Sequence, residues 1–158
     1  MNSVLNIYET CLKFPFGKWI FSKMICFKAP YFGSIKPVFV ELQPGYSKIH
    51  LKKRRSITNH LGTVHAIAMC NVSELAAGTM LEASIPKHMR WIPKGMTVSY
   101  QKLAETDLVA ECRASVKAME TTGAFPMQIE VRDEGGDEVF HATITMHLSQ
   151  KKPKSTVE

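Results

Sequence analysis

Glu74 stands in the middle of a segment, residues 64–80, in which nearly every other residue is apolar or small. A helix that is apolar on all sides is normally buried, whereas a glutamate is almost never fully buried unless it is paired or takes part in chemistry. Glu74 is therefore our first candidate for a catalytic group, as a general base or a nucleophile. The alternative is a structural carboxylate, held by Asn71 or by a strand hydroxyl group, that has no role in catalysis.

The residues in front of Glu74 predict a helix start that can bind an anion. Thr63 is the predicted N-cap, and the helix then extends over about residues 64–81. The first N–H groups of a helix have no partner within it and carry a partial positive charge. The amides near His65 and Ala66 are therefore placed to hold a developing oxyanion.

The spacing between Glu74 and the amides at the helix start determines whether both can act on one substrate within a single chain. Glu74 follows His65 by nine residues, which is about 13 Å along a helix axis at a rise of about 1.5 Å per residue. Glu74 therefore cannot serve a carbonyl group held at the start of its own helix. An antiparallel partner helix would bring its own glutamate beside His65, so the spacing predicts an active site made by two chains.

From Lys36 onward, the sequence places short strands around this helix. Strands are predicted at residues 38–42 and 48–52, joined by the turn 43–46, and, after a loop at 87–95, at 96–104, 108–119, 125–133 and 138–150. Alternation is clear in the last two, where Met127, Ile129 and Val131, for example, are separated by polar residues. A single buried helix among antiparallel strands predicts a curved sheet wrapped around it, an α+β architecture.

The sequence contains two motifs that resemble those of hotdog-fold acyl-CoA thioesterases of the phenylacetate-pathway type, and they occur in the same order along the chain. Many of these enzymes carry N-x-x-G-x-x-H-G-G, with an acidic residue nine positions after the histidine. The matching positions in this chain are Asn59, Gly62, His65 and Glu74. Downstream, residues 100–104 and 107–111 read YQKLA and DLVAE, where the family often has an aromatic and a basic residue, then P-A, then G-D and L-V-A-E. The resemblance covers about residues 36–150.

The resemblance implies a hotdog fold, in which an antiparallel sheet wraps around one long central helix, and an enzyme that hydrolyses acyl thioesters. It implies a site made of Asn59, His65, Ala66 and Glu74, completed across the interface of a homodimer or of a tetramer built from it. The implied substrate carries coenzyme A or the phosphopantetheine of an acyl carrier protein, and no separate cofactor is expected.

The chain departs from the family pattern in three respects, which involve four positions. The two glycines after the histidine are Ala66 and Ile67, the acid is Glu74 where aspartate is common, and Ser99 stands where asparagine often precedes the aromatic residue. An oxyanion donor is a backbone N–H, which Ala66 supplies as well as glycine does. The bulk of Ile67, in contrast, can restrict how a thioester approaches the helix start.

Other assignments remain open at these residues. His65 is also consistent with a residue that orders the loop before the helix, and Asn59 with a turn residue. His60 lies fourteen residues before Glu74. At this spacing the hotdog dehydratases of fatty-acid synthesis pair a histidine with a glutamate, although their intervening prolines are missing here. A non-catalytic protein that binds acyl-CoA or acyl carrier protein is a third alternative.

The net charge of +6 is concentrated in clusters at residues 52–55, at 87–94 and in the C-terminal tail. We expect basic side chains to rim the mouth of the substrate tunnel and to bind nucleotide phosphates or an acidic carrier protein; these are Arg54, Arg55, Lys87, Arg90 and Lys94. A solvated basic surface is the alternative. Aromatic residues do not alternate with the clusters and no nucleic-acid motif is present, so a nucleic-acid partner is not expected.

The spacing of the cysteines and histidines shows whether disulfides or a metal site are expected. The four cysteines lie far apart, with no C-x-x-C pair, which predicts reduced thiols in a cytoplasmic protein. The six histidines show no metal-ligand spacing, so no metal site is expected.

Residues 1–35 form an extension whose composition differs from the domain at 36–150 and from the basic tail at 151–158. Its lysines break the apolar runs far below the about 20 residues that a bilayer span needs. We predict one or two helices, broken near residues 15–17. The large apolar residues are expected to be buried, as a lid or wall of an acyl tunnel, by pairing across subunits, or by packing on the convex face of the sheet; they are Phe14, Phe16, Trp19, Ile20, Phe21, Ile25 and Phe27. Attachment to a membrane surface is a further alternative.

Overall fold

The computed structural model describes residues 3–151. The helices are α1 (Ser3–Cys11), α2 (Gly17–Lys28) and α3 (Ala66–Ser84), and the strands are β1 (Val38–Gln43), β2 (Tyr46–Leu51), β3 (Met89–Tyr100), β4 (Leu108–Arg113), β5 (Gly123–Asp133) and β6 (Glu138–Gln150). Short 3-10 helices at Pro30–Ile35, Arg55–Ile57 and Lys117–Glu120 connect some of them.

The α+β architecture of a hotdog fold is confirmed, with α3 as its central helix. The six strands form one antiparallel sheet in the order β1-β2-β4-β5-β6-β3, and α3 packs against this sheet. Met127, Ile129 and Val131 of β5 are fully buried, as their alternation predicted. The polar residues between them are more exposed, so the sheet turns a dry face towards the helix.

The sheet can approach α3 closely because the helix carries small side chains. Ala76 and Ala77 are fully buried, and Ser47 Oγ of β2 donates a hydrogen bond of 2.7 Å to the carbonyl oxygen of Ala76. Gly78 serves the same purpose on the side of β3, since a Cβ at this position would lie 3.0 Å from the ring of Trp91.

The start of α3 differs from the prediction. The helix begins at Ala66 with His65 as its N-cap, and His65 Nδ1 accepts a hydrogen bond of 3.1 Å from the N–H of Ile67. The prediction of Thr63 as the N-cap is therefore wrong. Thr63 Oγ1 instead accepts a hydrogen bond of 2.9 Å from Asn59 Nδ2, which holds the threonine in the loop before the helix.

The start of β3 also differs, because residues 89–95 belong to the strand and not to a loop. Pro93 and Gly95 are typical loop residues, but β3 lies at the edge of the sheet. There a proline is tolerated, because its missing N–H is not needed by a neighbouring strand. The register shifts between Pro93 and Gly95, as it does at a β-bulge.

Other element ends also lie away from their predicted positions: β3 ends at Tyr100 rather than 104, and β2 begins at Tyr46 rather than 48. β4 ends at Arg113 rather than near 119, because its partner β2 begins at Tyr46, directly opposite Arg113. α3 continues to Ser84 rather than 81. Ser84 Oγ accepts a hydrogen bond of 2.9 Å from the N–H of Gly45, which ties the end of the helix to the turn between β1 and β2.

The N-terminal extension forms two helices with a break between Cys11 and Gly17, as predicted. Phe16 adopts a left-handed conformation with φ of 61°. The chain folds back so tightly here that a Cβ on Gly17 would lie 2.0 Å from the carbonyl oxygen of Cys11. The first residue of α2 therefore has to be glycine.

The two N-terminal helices join the core at the outer edge of β1. Phe21 is fully buried, and its ring makes edge-to-face contacts with Tyr8 and Phe39 at centroid distances of 5.0 Å and 4.9 Å. The N–H of Phe39 donates a 2.9 Å hydrogen bond to Ser22 Oγ, and the Tyr8 hydroxyl donates one of 3.4 Å to the carbonyl oxygen of Val40. Side chains of the extension therefore cover this edge of the sheet.

The expectation that all the large apolar residues of the extension are buried is wrong. Phe21 is buried and Ile20 and Ile25 are partly buried, but four of the aromatic residues are exposed: Phe14 by 60%, Phe16 by 83%, Trp19 by 54% and Phe27 by 92%. The extension therefore contributes part of the core and also presents an apolar outer surface.

No helix among residues 3–151 has the length and apolar character that crossing a membrane requires. The basic tail predicted at 151–158 lies outside the described residues except for Lys151, whose Nζ donates a hydrogen bond of 2.8 Å to the carbonyl oxygen of Lys87.

We expect Gly17→Ala to lower the free energy of unfolding by about 1–3 kcal/mol, the usual cost of forcing an atom into a filled space. Gly95→Ala is the matched control, since nothing lies within 4 Å of a Cβ at that position, and its effect should stay within about 0.5 kcal/mol. Urea denaturation of both variants measures the difference. Similar midpoints for the two would contradict the tight junction between α1 and α2.

Candidate active site

Glu74 lies on α3, is half-buried, and lines a cavity of about 400 Å³. Its carboxylate has no hydrogen bond or ion pair with any residue in the range 3–151. The alternative of a structural carboxylate held by Asn71 or by a strand hydroxyl is therefore contradicted. Asn71 directs its Nδ2 to Ser34 Oγ instead, at 3.4 Å.

Three parts of the chain build the walls of this cavity. The lining residues are Val4, Ile25, Lys28, Ala29 and Phe32 from the N-terminal extension, Glu74, Leu75, Gly78, Thr79 and Glu82 from α3, and Trp91 and Pro93 from β3. Glu82 accepts a hydrogen bond of 2.9 Å from Trp91 Nε1, so Glu74 is the carboxylate left without a partner. The cavity thus combines apolar walls with an acid that can act on a ligand.

Some of the backbone N–H groups at the start of α3 are already hydrogen-bonded and cannot bind an oxyanion. The N–H of His65 donates to the carbonyl oxygen of Ile57 at 2.8 Å, and the N–H of Ile67 donates to His65 Nδ1. The N–H of Ala66 has no acceptor among residues 3–151. Of the two amides predicted to hold an oxyanion, only that of Ala66 is therefore free to do so.

The imidazole ring of His65 caps the start of α3. Because Nδ1 accepts a hydrogen bond from a backbone amide, the neutral ring carries its proton on Nε2, where it can donate to a ligand. The imidazole is exposed and lines a second cavity of about 360 Å³. The loop-ordering role considered for His65 is thus present, as a helix cap, and it leaves the other nitrogen free.

The second cavity contains a residue that the sequence did not single out as a site residue. Asn71 is buried and lines the same cavity as His65, and its Oδ1 has no hydrogen-bond partner among residues 3–151. A buried polar side chain in an apolar helix is the signal that singled out Glu74, and it applies to Asn71 as well.

The chain does not bring Glu74 and His65 into one cavity. Glu74 lines the cavity beneath the N-terminal helices, whereas His65 lines the one at the helix start. This agrees with the separation of about 13 Å expected from the helix rise.

Asn59 is committed to the loop before α3. Its Oδ1 accepts hydrogen bonds from the N–H groups of Leu61 and Thr63 at 3.0 Å and 3.2 Å, and its Nδ2 donates to Thr63 Oγ1. These are the contacts of a turn residue. They also fix the loop that leads into His65, so Asn59 acts on the helix start through the backbone.

Two other residues near Glu74 are poor candidates for chemistry. His60 is exposed and lines neither the cavity of Glu74 nor that of His65. Cys70 lies one turn before Glu74 on α3, and burial raises the pKa of its thiol. A raised pKa opposes formation of the thiolate, which is the nucleophilic form.

The predicted basic rim is divided between the two ends of α3. Arg55 lies in the 3-10 helix near the start of α3, whereas Lys87 and Arg90 line a cavity of about 330 Å³ beyond its end, together with Lys151. A helix of 19 residues separates the two groups by about 28 Å. These residues therefore do not form one rim within a single chain. The rim remains a prediction for a site made by two chains, because antiparallel helices would bring unlike ends together.

The side chain of Arg54 is hydrogen-bonded to the main chain. Its guanidinium donates hydrogen bonds of 2.7 Å to the carbonyl oxygens of Ile35 and Ser34, and burial lowers its pKa below the usual value. Lys94, by contrast, is exposed on the edge strand β3. A phosphate-binding role remains a prediction for these residues, and Arg55 is better placed for it than Arg54.

No group of three or more His, Cys, Asp or Glu side chains in the described part of the chain is arranged to hold a metal ion. All four cysteines are free thiols.

Comparisons with known proteins bear on this site. No curated protein matches the chain. Among solved structures, a structural-genomics crystal structure is 44% identical, with a TM-score of 0.85 over 94% of this chain and 99% of its own. A probable thioesterase of unknown function from Pseudomonas aeruginosa is 20% identical, with a TM-score of 0.73 over 78% of this chain and 89% of its own.

A thioesterase from Haemophilus influenzae is 7% identical, with a TM-score of 0.69 over 79% of this chain and 86% of its own. These two thioesterases share the hotdog fold with this chain, as the motifs predicted. A family model described as a domain of unknown function, DUF4442, matches residues 17–148. The match spans most of the sequence, and the chain belongs to the DUF4442 family.

Proposed function

We propose that this protein hydrolyses acyl thioesters, with Glu74 of one chain and the start of α3 of a partner chain in each active site. The observation that carries the proposal is the Glu74 carboxylate, which lines an apolar cavity and has no partner among residues 3–151. A half-buried carboxylate without a partner in the described part of the chain, set among apolar walls, is available to act on a ligand. The thioesterases with the same fold give further support at the level of the family.

Glu74 acts as the general base in this proposal. It takes a proton from a water molecule, and the water oxygen attacks the carbonyl carbon of the thioester. The N–H of Ala66 then holds the negative charge that develops on the carbonyl oxygen. The C–S bond breaks as the carbonyl re-forms, and the proton returns from Glu74 to the departing thiolate.

A homodimer supplies both groups at one site. β3 is an edge strand of twelve residues with Trp91 half-buried and Ile92 exposed, whereas the other edge is covered by α1 and α2. A long uncovered edge with apolar side chains favours pairing with another strand. Two β3 strands paired about a two-fold axis would place the two α3 helices antiparallel, with each Glu74 near the partner's Ala66.

The substrate that fits is an acyl chain on a phosphopantetheine thiol, from coenzyme A or from an acyl carrier protein. The apolar walls of the Glu74 cavity suit the acyl chain, and the basic groups at the ends of α3 suit the phosphates. The dehydratase alternative lacks comparable support, since His60 is exposed outside this cavity. A non-catalytic acyl-CoA binder is the alternative that the next experiment separates.

We expect Glu74→Gln to lower kcat for thioester hydrolysis by at least about 10²-fold, because the amide cannot accept the proton of water. Glu82→Gln is the matched control, since this acid lines the same cavity but is held by Trp91, and it should change kcat by less than about tenfold. Release of free thiol from a panel of acyl-CoAs measures both. Near-normal turnover by folded Glu74→Gln would remove Glu74 from the mechanism, and no turnover by the unmodified protein would favour a binding protein.

We expect Ala66→Pro to remove the oxyanion donor without removing the helix. Proline is tolerated at the first position of a helix, and the extended conformation of His65, with φ of −65° and ψ of 139°, suits a following proline. The loss of one donor should lower kcat by about 10²–10³-fold. Circular dichroism of the variant checks that α3 is kept.

Mixing the two inactive variants tests the shared site. A heterodimer of Glu74→Gln and Ala66→Pro chains has one active site with both changes and one with neither, so a random mixture should regain about a quarter of the unmodified activity. If each chain held a complete site, every site in the mixture would carry one change. Absence of recovery after exchange of subunits would therefore contradict the two-chain site.

We expect Arg55→Glu to raise KM for acyl-CoA more than it lowers kcat, because the residue contacts the phosphates and not the reacting carbon. Added salt should mimic the effect in the unmodified protein. Lys117→Glu, on an exposed 3-10 helix, is the control of equal charge. A KM that responds alike to both changes would assign Arg55 to the solvated surface.

A further inference from the structure

The outer surface of the α1–α2 hairpin, residues 3–31, is crowded with large apolar groups. The exposed ones are Ile7, Leu12, Phe14, Phe16, Trp19, Met24, Phe27 and Tyr31. Trp19, Lys23 and Phe27 follow one another at intervals of four on α2 and so share one face of the helix. A surface with this many large apolar groups is typical of a site of interaction.

Lysines are distributed through the same surface. Lys13, Lys18, Lys23 and Lys28 are all exposed, and none forms a salt bridge with a residue in the range 3–151. Residues 1–36 hold five lysines and a single acidic residue, Glu9. The ammonium of Lys23 lies 5.4 Å from the centroid of the Trp19 ring, so positive charge and aromatic surface are interleaved.

We propose that the outer surface of the α1–α2 hairpin binds an anionic lipid bilayer. Phe14, Phe16, Trp19 and Phe27 enter the boundary between headgroups and acyl chains, and the lysines contact lipid phosphates. Exposed aromatic and apolar side chains with lysines beside them are the composition of segments that bind to a membrane surface.

The charge distribution distinguishes this partner from a second copy of the chain. Two copies facing each other through this surface would each bring the same excess of lysine, and like charges in contact repel. The aromatic side chains also protrude separately, with Phe16 and Phe27 exposed by 83% and 92%. Protruding rings need no shaped partner in a fluid bilayer, whereas a folded protein would have to supply a pocket for each.

A groove on this surface lies beside the candidate active site. It has a volume of about 690 Å³ and runs along the hairpin, and three of its lining residues, Val4, Ile25 and Lys28, also line the cavity of Glu74. A thioester whose acyl chain lies in the bilayer is then close to the catalytic carboxylate. This last step rests on the proposed function, whereas the binding of the bilayer does not.

Co-sedimentation of the full chain with vesicles tests the proposal without any assay of activity. We expect binding to phosphatidylcholine vesicles that contain phosphatidylserine, weaker binding to pure phosphatidylcholine, and loss of binding as salt is raised. Phe16→Ala and Phe27→Ala should each weaken the binding by at least about tenfold. Lys13→Gln and Lys18→Gln should each weaken it by about fivefold.

Matched changes elsewhere on the surface serve as controls. Leu103→Ala removes an apolar residue that is 58% exposed and Lys117→Gln removes an exposed lysine, and both should leave binding within about twofold. The proposal is overturned if the unmodified protein does not sediment with anionic vesicles, or if the hairpin variants bind as tightly as the controls. A change of oligomeric state in the double variant Phe16→Ala and Phe27→Ala would assign the surface to a second copy and also overturn it.

Discussion

The burial of α3 against the dry face of the sheet is the constraint on which the rest of the structure depends. The helix has to carry small residues where strands approach it, as at Ala76 beneath Ser47 and at Gly78 beneath Trp91. A single side of the helix remains for the N-terminal helices to cover, and Glu74 is on that side. The acid is thus held in an apolar setting by the same packing that stabilises the fold.

The start and the middle of α3 carry different functional groups, and the helix between them holds these groups at a fixed distance. The free amide of Ala66 and the capping ring of His65 lie at the first turn, whereas Glu74 lies more than two turns further on. Within one chain the Ala66 amide and the Glu74 carboxylate therefore do not meet in one cavity. In the proposed mechanism this rigid spacing makes assembly a condition of activity, because only a second helix of opposite direction can shorten the distance.

Periodicity was enough to predict the α+β architecture, because alternation along β5 and β6 and a largely apolar helix permit few arrangements; the two motifs then indicated the hotdog fold. The start of α3 could not be predicted from local residues, because tertiary contacts choose the cap: Thr63 is held by Asn59, and the His65 amide by Ile57. The exposure of Phe16 and Phe27 was likewise hidden, since hydropathy does not say whether a large side chain meets a core or a lipid. Asn71 had the same signal as Glu74 but no motif to mark it.

The two edges of the sheet differ in a way that limits assembly. The N–H of Phe39 and the carbonyl group of Val40, on the outer edge of β1, are occupied by Ser22 and Tyr8, while β3 has no such cover in the described part of the chain. A subunit with two open edges can add copies at both sides and polymerise into a continuous ribbon. A subunit with one open edge can pair in this way with only one other subunit. If β3 pairs as proposed, the hydrogen bonds of Ser22 and Tyr8 leave no second edge for growth and limit the assembly to two subunits.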